Sequence, residues 1–188
     1  MVTRAFSLIE LLVSVSILTV ITGIVLANNN QFNSSVLLGN AAYDIALTIR
    51  EAQVYGLSTQ AFAGEFQVGY GVHFASPTEY ILFADTDPVR NRRYDAGVDQ
   101  VVRQYTLGRG FTVSNLCGTR VDQGVECSRS STALEHLDIA FLRPNPDATI
   151  TGSDPKAFSS AKITIQSRSG ETRTISVQST GQISVQKP

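Results

Sequence analysis

The sequence predicts an α+β protein, with one long N-terminal helix followed by an antiparallel, β-rich body. Three observations carry that prediction. Phe6 to Ala27 is apolar apart from Glu10 and a few small residues. Helical spacing continues further on in Val36, Leu37, Ala41, Ile45, Leu47, Ile49, Ala52 and Leu57. From Phe66 onward the hydrophobic period changes to two, the period of a half-buried strand.

A helix needs roughly twenty apolar residues to cross a bilayer core. Residues 6–27 meet that need, with Ser14, Ser16, Thr19, Thr22 and Gly23 as the only weak points. Small hydroxyl residues are tolerated because each can bond back to its own helix backbone. Between Leu11 and Tyr43 there is no Asp, Glu, Lys or Arg. Glu10 therefore stands out. A carboxylate inside an apolar helix is costly in lipid, so it is a functional hypothesis by default. The bland alternative is a carboxylate close enough to the interface to stay wet. Asn28-Asn29-Asn30 and Asn33-Ser34-Ser35 are weak helix formers and predict a bend or partial melt. Beyond them Asp44, Arg50 and Glu51 face outward, so the second half of the helix reads as amphipathic. Gly56 followed by Leu57-Ser58-Thr59 reads as the exit.

In the body, Phe66–Phe74 and Glu79–Phe83 alternate, and Val101–Tyr105 and Gly110–Val113 are further candidate strands. Leu137–Leu142 is a clear strand. The strictest alternation lies in Lys162–Ile165, Thr174–Val177 and Gln182–Val185. Ser169-Gly170 and Thr180-Gly181 punctuate these three as hairpin turns, which predicts a meander.

The chain has 188 residues, which suggests one domain after the membrane segment. A formal net charge of −1 gives no global field that favours nucleic acid or an anionic surface. Cys117 and Cys127 are the two cysteines. If the body is exported, the compartment is oxidising and favours a bridge between them. Closing so short a loop stabilises by up to about 3 kcal/mol. Two Cys without neighbouring His make a poor zinc site.

Catalysis finds little support. His73 lies in a strand and His136 near the start of one, and neither belongs to a nucleophile or metal signature. No catalytic residue and no cofactor is expected. The loop from Asp85 to Asp99 holds the one weak exception, a calcium candidate formed by Asp85, Asp87, Asp95 and Asp99. Arg90, Arg92 and Arg93 oppose a dication there, so a solvated hairpin loop with internal ion pairs is the favoured reading. Three arginines among these acids make no basic patch for DNA phosphates.

Arg4-Ala5-Phe6-Ser7-Leu8-Ile9-Glu10-Leu11-Leu12 resembles the class III signal of type IV pilins and type II secretion pseudopilins. The resemblance implies cleavage by a prepilin peptidase between Ala5 and Phe6, then N-methylation of Phe6. It places Glu10 at the family's glutamate position, in an assembly role. Ala5 stands where the family usually has Gly, and Ser7 where it has Thr. The later half is similar to GspH/FimT-like minor pseudopilins in Phe141-Leu142-Arg143-Pro144-Asn145-Pro146 and in the closing strand pair up to Ile183.

This family resemblance implies a pilin-like layout: a leader at 1–5, a transmembrane helix at 6–27, its amphipathic continuation at 28–58 and an extracytoplasmic head at 59–188. The implied partners are other pilin or pseudopilin subunits, the prepilin peptidase, the inner-membrane assembly platform and membrane lipid. The implied location is the inner membrane by a single pass, then the pilus or pseudopilus. Family members that bind DNA carry basic residues around the terminal Gly, whereas Gln182, Gln186 and Lys187 stand here, so nucleic acid is not expected. Two alternatives stay open. One is a filament-borne module that binds DNA or a secreted substrate. The other is a soluble secreted domain released after Ala27, a reading that Glu10 opposes.

Overall fold

The computed structural model describes residues 7–58, 68–121, 124–128, 134–154 and 156–187. Its architecture is α+β, with one N-terminal apolar helix and two antiparallel sheets. The cleavage pair Ala5 and Phe6, and the first residues of the Phe66–Phe74 strand, lie outside the described residues.

Helix α1 (Leu8–Leu57) starts at Ser7, whose carbonyl accepts the N–H groups of Glu10 and Leu11 at 3.1 and 3.2 Å. Ser7 thus stands at the N-cap and Glu10 three residues in, the spacing of a capping box. A carboxylate in the first turn also meets the positive end of the helix dipole. The hydroxyls of Ser14, Ser16 and Thr19 donate to the carbonyls four residues back, at 2.7, 2.8 and 2.8 Å. The expected partial melt at 28–35 does not occur, because the backbone stays helical throughout. Asn and Ser each cost at most about 0.7 kcal/mol relative to Ala, too little to break a helix continued on both sides.

The chain divides into two compact units after Leu37. In the first, every large apolar side chain from Leu8 to Leu26 is exposed, on a stretch long and apolar enough to cross a bilayer. In the second, α1 contributes a narrow buried stripe of Leu38, Ala42, Ile45, Ile49 and Ala52, spaced alternately by four and three. Leu47, expected on that stripe, is 67% exposed. Two residues past Ile45 is about 200° around the helix, which is the opposite side. Glu51 is half-buried and does not face outward as expected.

In chain order the strands are β1 (Gly69–Phe74), β2 (Glu79–Asp85), β3 (Gln100–Thr106), β4 (Thr112–Arg120), β5 (Gly124–Cys127), β6 (Leu137–Phe141), β7 (Ala148–Gly152), β8 (Ser160–Gln166), β9 (Thr172–Gln178) and β10 (Ile183–Gln186). They form two five-stranded sheets, ordered β3-β2-β1-β6-β7 and β10-β9-β8-β4-β5. The expected meander is β8-β9-β10; β1-β2-β3 forms a second one, and long-range pairs join β1 to β6 and β4 to β8. Gly170 and Gly181 hold φ of 88° and 81° in the two hairpin turns the sequence marks, a conformation that favours glycine. Cys117 and Cys127 face each other across β4 and β5 and are disulfide-bonded, with Cα atoms 4.1 Å apart.

The first sheet carries the candidate sites. Its helix side includes Tyr70, whose ring lies 5.5 Å from that of Tyr55, and Phe141. At Gly56 an added Cβ would stand 2.4 Å from the Phe141 carbonyl oxygen, and the Gly56 carbonyl accepts the Arg143 N–H at 3.0 Å. Gly56 is therefore a close-packing residue inside the last turn as well as a mark of the exit. Alternation along the strands sends His73, Phe83, Asp85 and Asp138 to the opposite side. There the β2–β3 loop folds back over the sheet. Arg92 Nη1 donates to Thr149 Oγ1 at 3.2 Å, and Arg93 Nη2 to the Gly152 carbonyl at 3.0 Å. The Tyr94 ring packs 4.7 Å from His73 and 5.4 Å from Phe83. With a helix on one side and a loop on the other, β6 is buried at all of its residues.

Candidate functional site

Three features stand out: the N-terminal helix with Glu10, an acidic cluster at the mouth of the β2–β3 loop, and a histidine–aspartate group on the same side of the sheet. Glu10 sits in the exposed first turn of α1, and its carbonyl accepts the Ser14 hydroxyl.

The acidic cluster follows from strand register. Ala84 pairs with Gln100, so Asp85 and Asp99 are the next residues outward and close the neck of the loop between them. Asp87 turns back beside them. All three are buried, at 1%, 5% and 6% exposure for Asp85, Asp87 and Asp99, and a ligand oxygen from each lies within 4.8 Å of the others. Two like charges at that distance repel by about 3 kcal/mol at an effective dielectric of 20. Backbone N–H groups hold the carboxylates in place. Arg92 N–H donates to Asp85 Oδ2 at 2.7 Å. Asp99 Oδ1 accepts from Thr86 and Asp87 at 2.9 and 3.2 Å, and Asp99 Oδ2 from Asp95 at 2.8 Å. The Arg90 N–H donates to Asp87 Oδ1.

Burial pushes the Asp85 carboxyl up to about 7; the Arg92 N–H opposes the rise, while a hydrogen bond shared with the Asp87 carboxyl and the Asp99 and Asp87 charges add to it. Burial also raises Asp99, against the three N–H groups bonded to it. Asp95 stands outside the group; Asn91 Nδ2 donates to its Oδ2 at 2.7 Å and to Asp87 Oδ2 at 3.4 Å. Of the arginines expected to neutralise this loop, Arg92 and Arg93 direct their guanidinium groups to sheet acceptors, Thr149 and Gly152.

The second cluster was not legible in the sequence. His73 and Asp138 are register partners on β1 and β6, and His73 Nδ1 lies 2.6 Å from Asp138 Oδ1. The other Asp138 oxygen lies 3.6 Å from His136 Nε2, beyond hydrogen-bond reach, and is otherwise unsatisfied. Arg93 approaches His136 Nε2 at 3.5 Å. Two imidazoles thus flank one fully buried carboxylate beneath Tyr94. Such an arrangement can fix the tautomer of His73 and supply polar specificity inside the sheet. The only usable signal was a His and an Asp on two candidate strands, and nothing local says that those strands pair.

Compared with family models, curated proteins and solved structures, the chain matches none.

Proposed function

We propose that this protein is a minor pseudopilin or minor type IV pilin, a structural subunit of a filament and not an enzyme. The observation that carries the reading is the nine-residue run Arg4–Leu12 with its embedded Glu10, leading into an exposed apolar helix. The β-rich unit that follows and its disulfide agree with a head exported to an oxidising compartment. On this reading a prepilin peptidase cuts between Ala5 and Phe6 and methylates the new amine. The helix then anchors the subunit in the inner membrane by one pass, with the head outside the cytoplasm. The assembly platform passes it to neighbouring subunits.

Glu10 is the assembly residue in this scheme. Cleavage leaves a cation at Phe6, four residues from Glu10 along the helix. Pairing the amine with a carboxylate, in the same chain or in the preceding subunit, relieves the cost of both charges in lipid. A pair of that kind sets position more surely than it adds stability. Mass spectrometry of protein extracted from membranes is expected to find a mature chain that begins with N-methylated Phe6. A start at Asn28 would sink the proposal. Glu10→Ala should leave cleavage and the disulfide intact while lowering recovery in the filament fraction. Wild-type recovery would remove the assembly role.

A further inference from the structure

We propose that one end of the second sheet is a basic rim that docks on an anionic bilayer surface, with Arg109 and Arg168 as its main contacts to lipid phosphate. The proposal rests on the reading of residues 8–26 as a membrane anchor. Strand register gathers the rim. Ile165 on β8 pairs with Arg173 on β9, and Gln186 on β10 pairs with Thr174, so Lys187 leaves β10 level with Arg173. Arg168 lies in the turn between β8 and β9. Thr112, the first residue of β4, pairs with Gln166 and brings the β3–β4 turn alongside. Contact there is direct. A Cβ added to Gly110 would stand 2.1 Å from Arg168 Nε, so that guanidinium lies over the Gly110 backbone. Basic side chains thus cross the end of the sheet on neighbouring strands about 4.8 Å apart. Arg109, Arg168 and Lys187 are exposed, while half-buried Arg173 donates to the Thr172 carbonyl at 2.8 Å. Among the described residues of this sheet, the one acid at that end is Glu171. Glu126 and Asp154 pair with Arg120, the last residue of β4, at the opposite end.

The backbone at Arg109 is a second observation. Arg109 and Gly110 hold φ of 59° and 73°, and the Phe111 N–H donates to the Gly108 carbonyl at 3.1 Å. Two successive left-handed residues make a type I′ turn, which favours Asn or Gly and disfavours arginine at its first central position. Arg109 is kept at the tip of this turn against its conformational preference, which points to a use for its side chain. A guanidinium fork matches the oxygens of a phosphate, and two from adjacent turns give a denser positive patch than either alone. Helix α1 selects the occupant. Gln53 reaches Gly181, just before β10, whereas Tyr43 and Asp44 border a cleft with Val185, near the end of β10. Within this unit, the start of the helix therefore lies at the rim's end of the sheet. The chain leaves that end toward the apolar stretch 8–26, with residues 27–37 in between. A bilayer that holds the stretch is tethered to this end by those residues. A net charge of −1 gives no long-range pull on free nucleic acid, but a tether supplies a high effective concentration. Each Lys or Arg near an anionic lipid surface then strengthens attachment about fivefold.

The test places the full chain in nanodiscs of phosphatidylcholine alone or with about 30% phosphatidylglycerol, and follows hydrogen exchange. Exchange at 108–111 and 167–171 should slow about fivefold or more in the anionic discs, and about 0.5 M salt should remove the difference. Arg109→Glu combined with Arg168→Glu should abolish the slowing. Arg109→Gly should weaken it while leaving Tm unchanged or higher, because glycine suits that φ. That variant separates contact with lipid from support of the turn. Equal exchange of both turns in the two kinds of disc would overturn the proposal, as would slowing that survives the double variant. Protection of the 8–26 amides reports on the anchor. Were it missing in both discs, the membrane reading would fall and the rim with it. Were it present without a lipid-dependent change at the turns, the rim alone would fall. A short DNA duplex added to phosphatidylcholine discs should protect neither turn; protection by DNA and not by phosphatidylglycerol would overturn the lipid assignment in favour of nucleic acid.

Discussion

The sheet β3-β2-β1-β6-β7 is covered by helix α1 on one face and by the β2–β3 loop on the other, and it buries charge. Asp138 is fully buried within it, and Asp85 and Asp99 are buried at its end. The sheet β10-β9-β8-β4-β5 buries one charge among its described strands, Arg120 at the end of β4, which pairs with Glu126 and Asp154. Its strand β8 alternates between buried apolar residues and part-exposed or exposed ones, and its outer pair is held by a disulfide. Covering a face with a polar loop lets carboxylates and imidazoles lie inside a sheet, where hydrogen bonds must satisfy them. The water-facing side of β8 needs no such network, and the second sheet is held by apolar burial, the disulfide and the Arg120 pairs at its edge.

Substitutions can break this contrast. The largest effect is expected at Asp138. Asp138→Ala removes the partner of His73 and should cost about 3–4 kcal/mol in urea denaturation. The matched change on the other sheet, Thr164→Ala, breaks only the 3.3 Å contact with Thr174 Oγ1 and should cost under about 1 kcal/mol. Equal losses would erase the distinction. Next comes the clamp. Replacing Cys117 and Cys127 together by Ser should cost up to about 3 kcal/mol. Hydrogen exchange should then quicken in β4 and β5 and stay unchanged in β1 and β6. A smaller effect is expected where α1 meets the first sheet. Gly56→Ala forces a Cβ to 2.4 Å from the Phe141 carbonyl oxygen and should cost about 2 kcal/mol. Gly39→Ala on the same helix meets nothing within 4 Å and should stabilise by up to about 1 kcal/mol. A neutral Gly56→Ala would show that the seat of the helix is looser than its geometry.

The same contrast explains what the sequence disclosed. β8, β9 and β10 show their alternation openly, and glycines mark their turns. In the first sheet the signal fades at β6 and β7, which are buried on both faces, while the edge strand β3 has no buried residue. β7 reads Ala148-Thr149-Ile150-Thr151-Gly152 and is buried at four of its five residues, so no polar face announces it. β5 has only four residues, too few for a period to show. The disulfide was legible because the composition holds two cysteines and no more. Each acid of the loop was visible too, but its neighbours were not. The sequence groups Asp95 with the others and sets the arginines against them, whereas the fold leaves Asp95 out of the buried group and sends Arg92 and Arg93 to the sheet. Leu47 fits the helical spacing yet faces outward, because apolar residues there outnumber the positions that the core can take.

Gln53 has a consequence for the order in which the head forms. It is buried in α1, and its amide donates to the Pro146 carbonyl at 3.2 Å and to the Gly181 carbonyl at 3.3 Å. The first acceptor lies in the β6–β7 connection and the second in the β9–β10 turn, so one side chain ties the helix to both sheets. The second bond spans 128 positions of sequence. Contacts so distant along the chain form only after the local hairpins have brought their ends together. During synthesis the helix therefore waits with half of its polar seat unfilled until residue 181 has been made. A ribosome stalled before that point would present a head that lacks β10 and whose helix is not yet locked in.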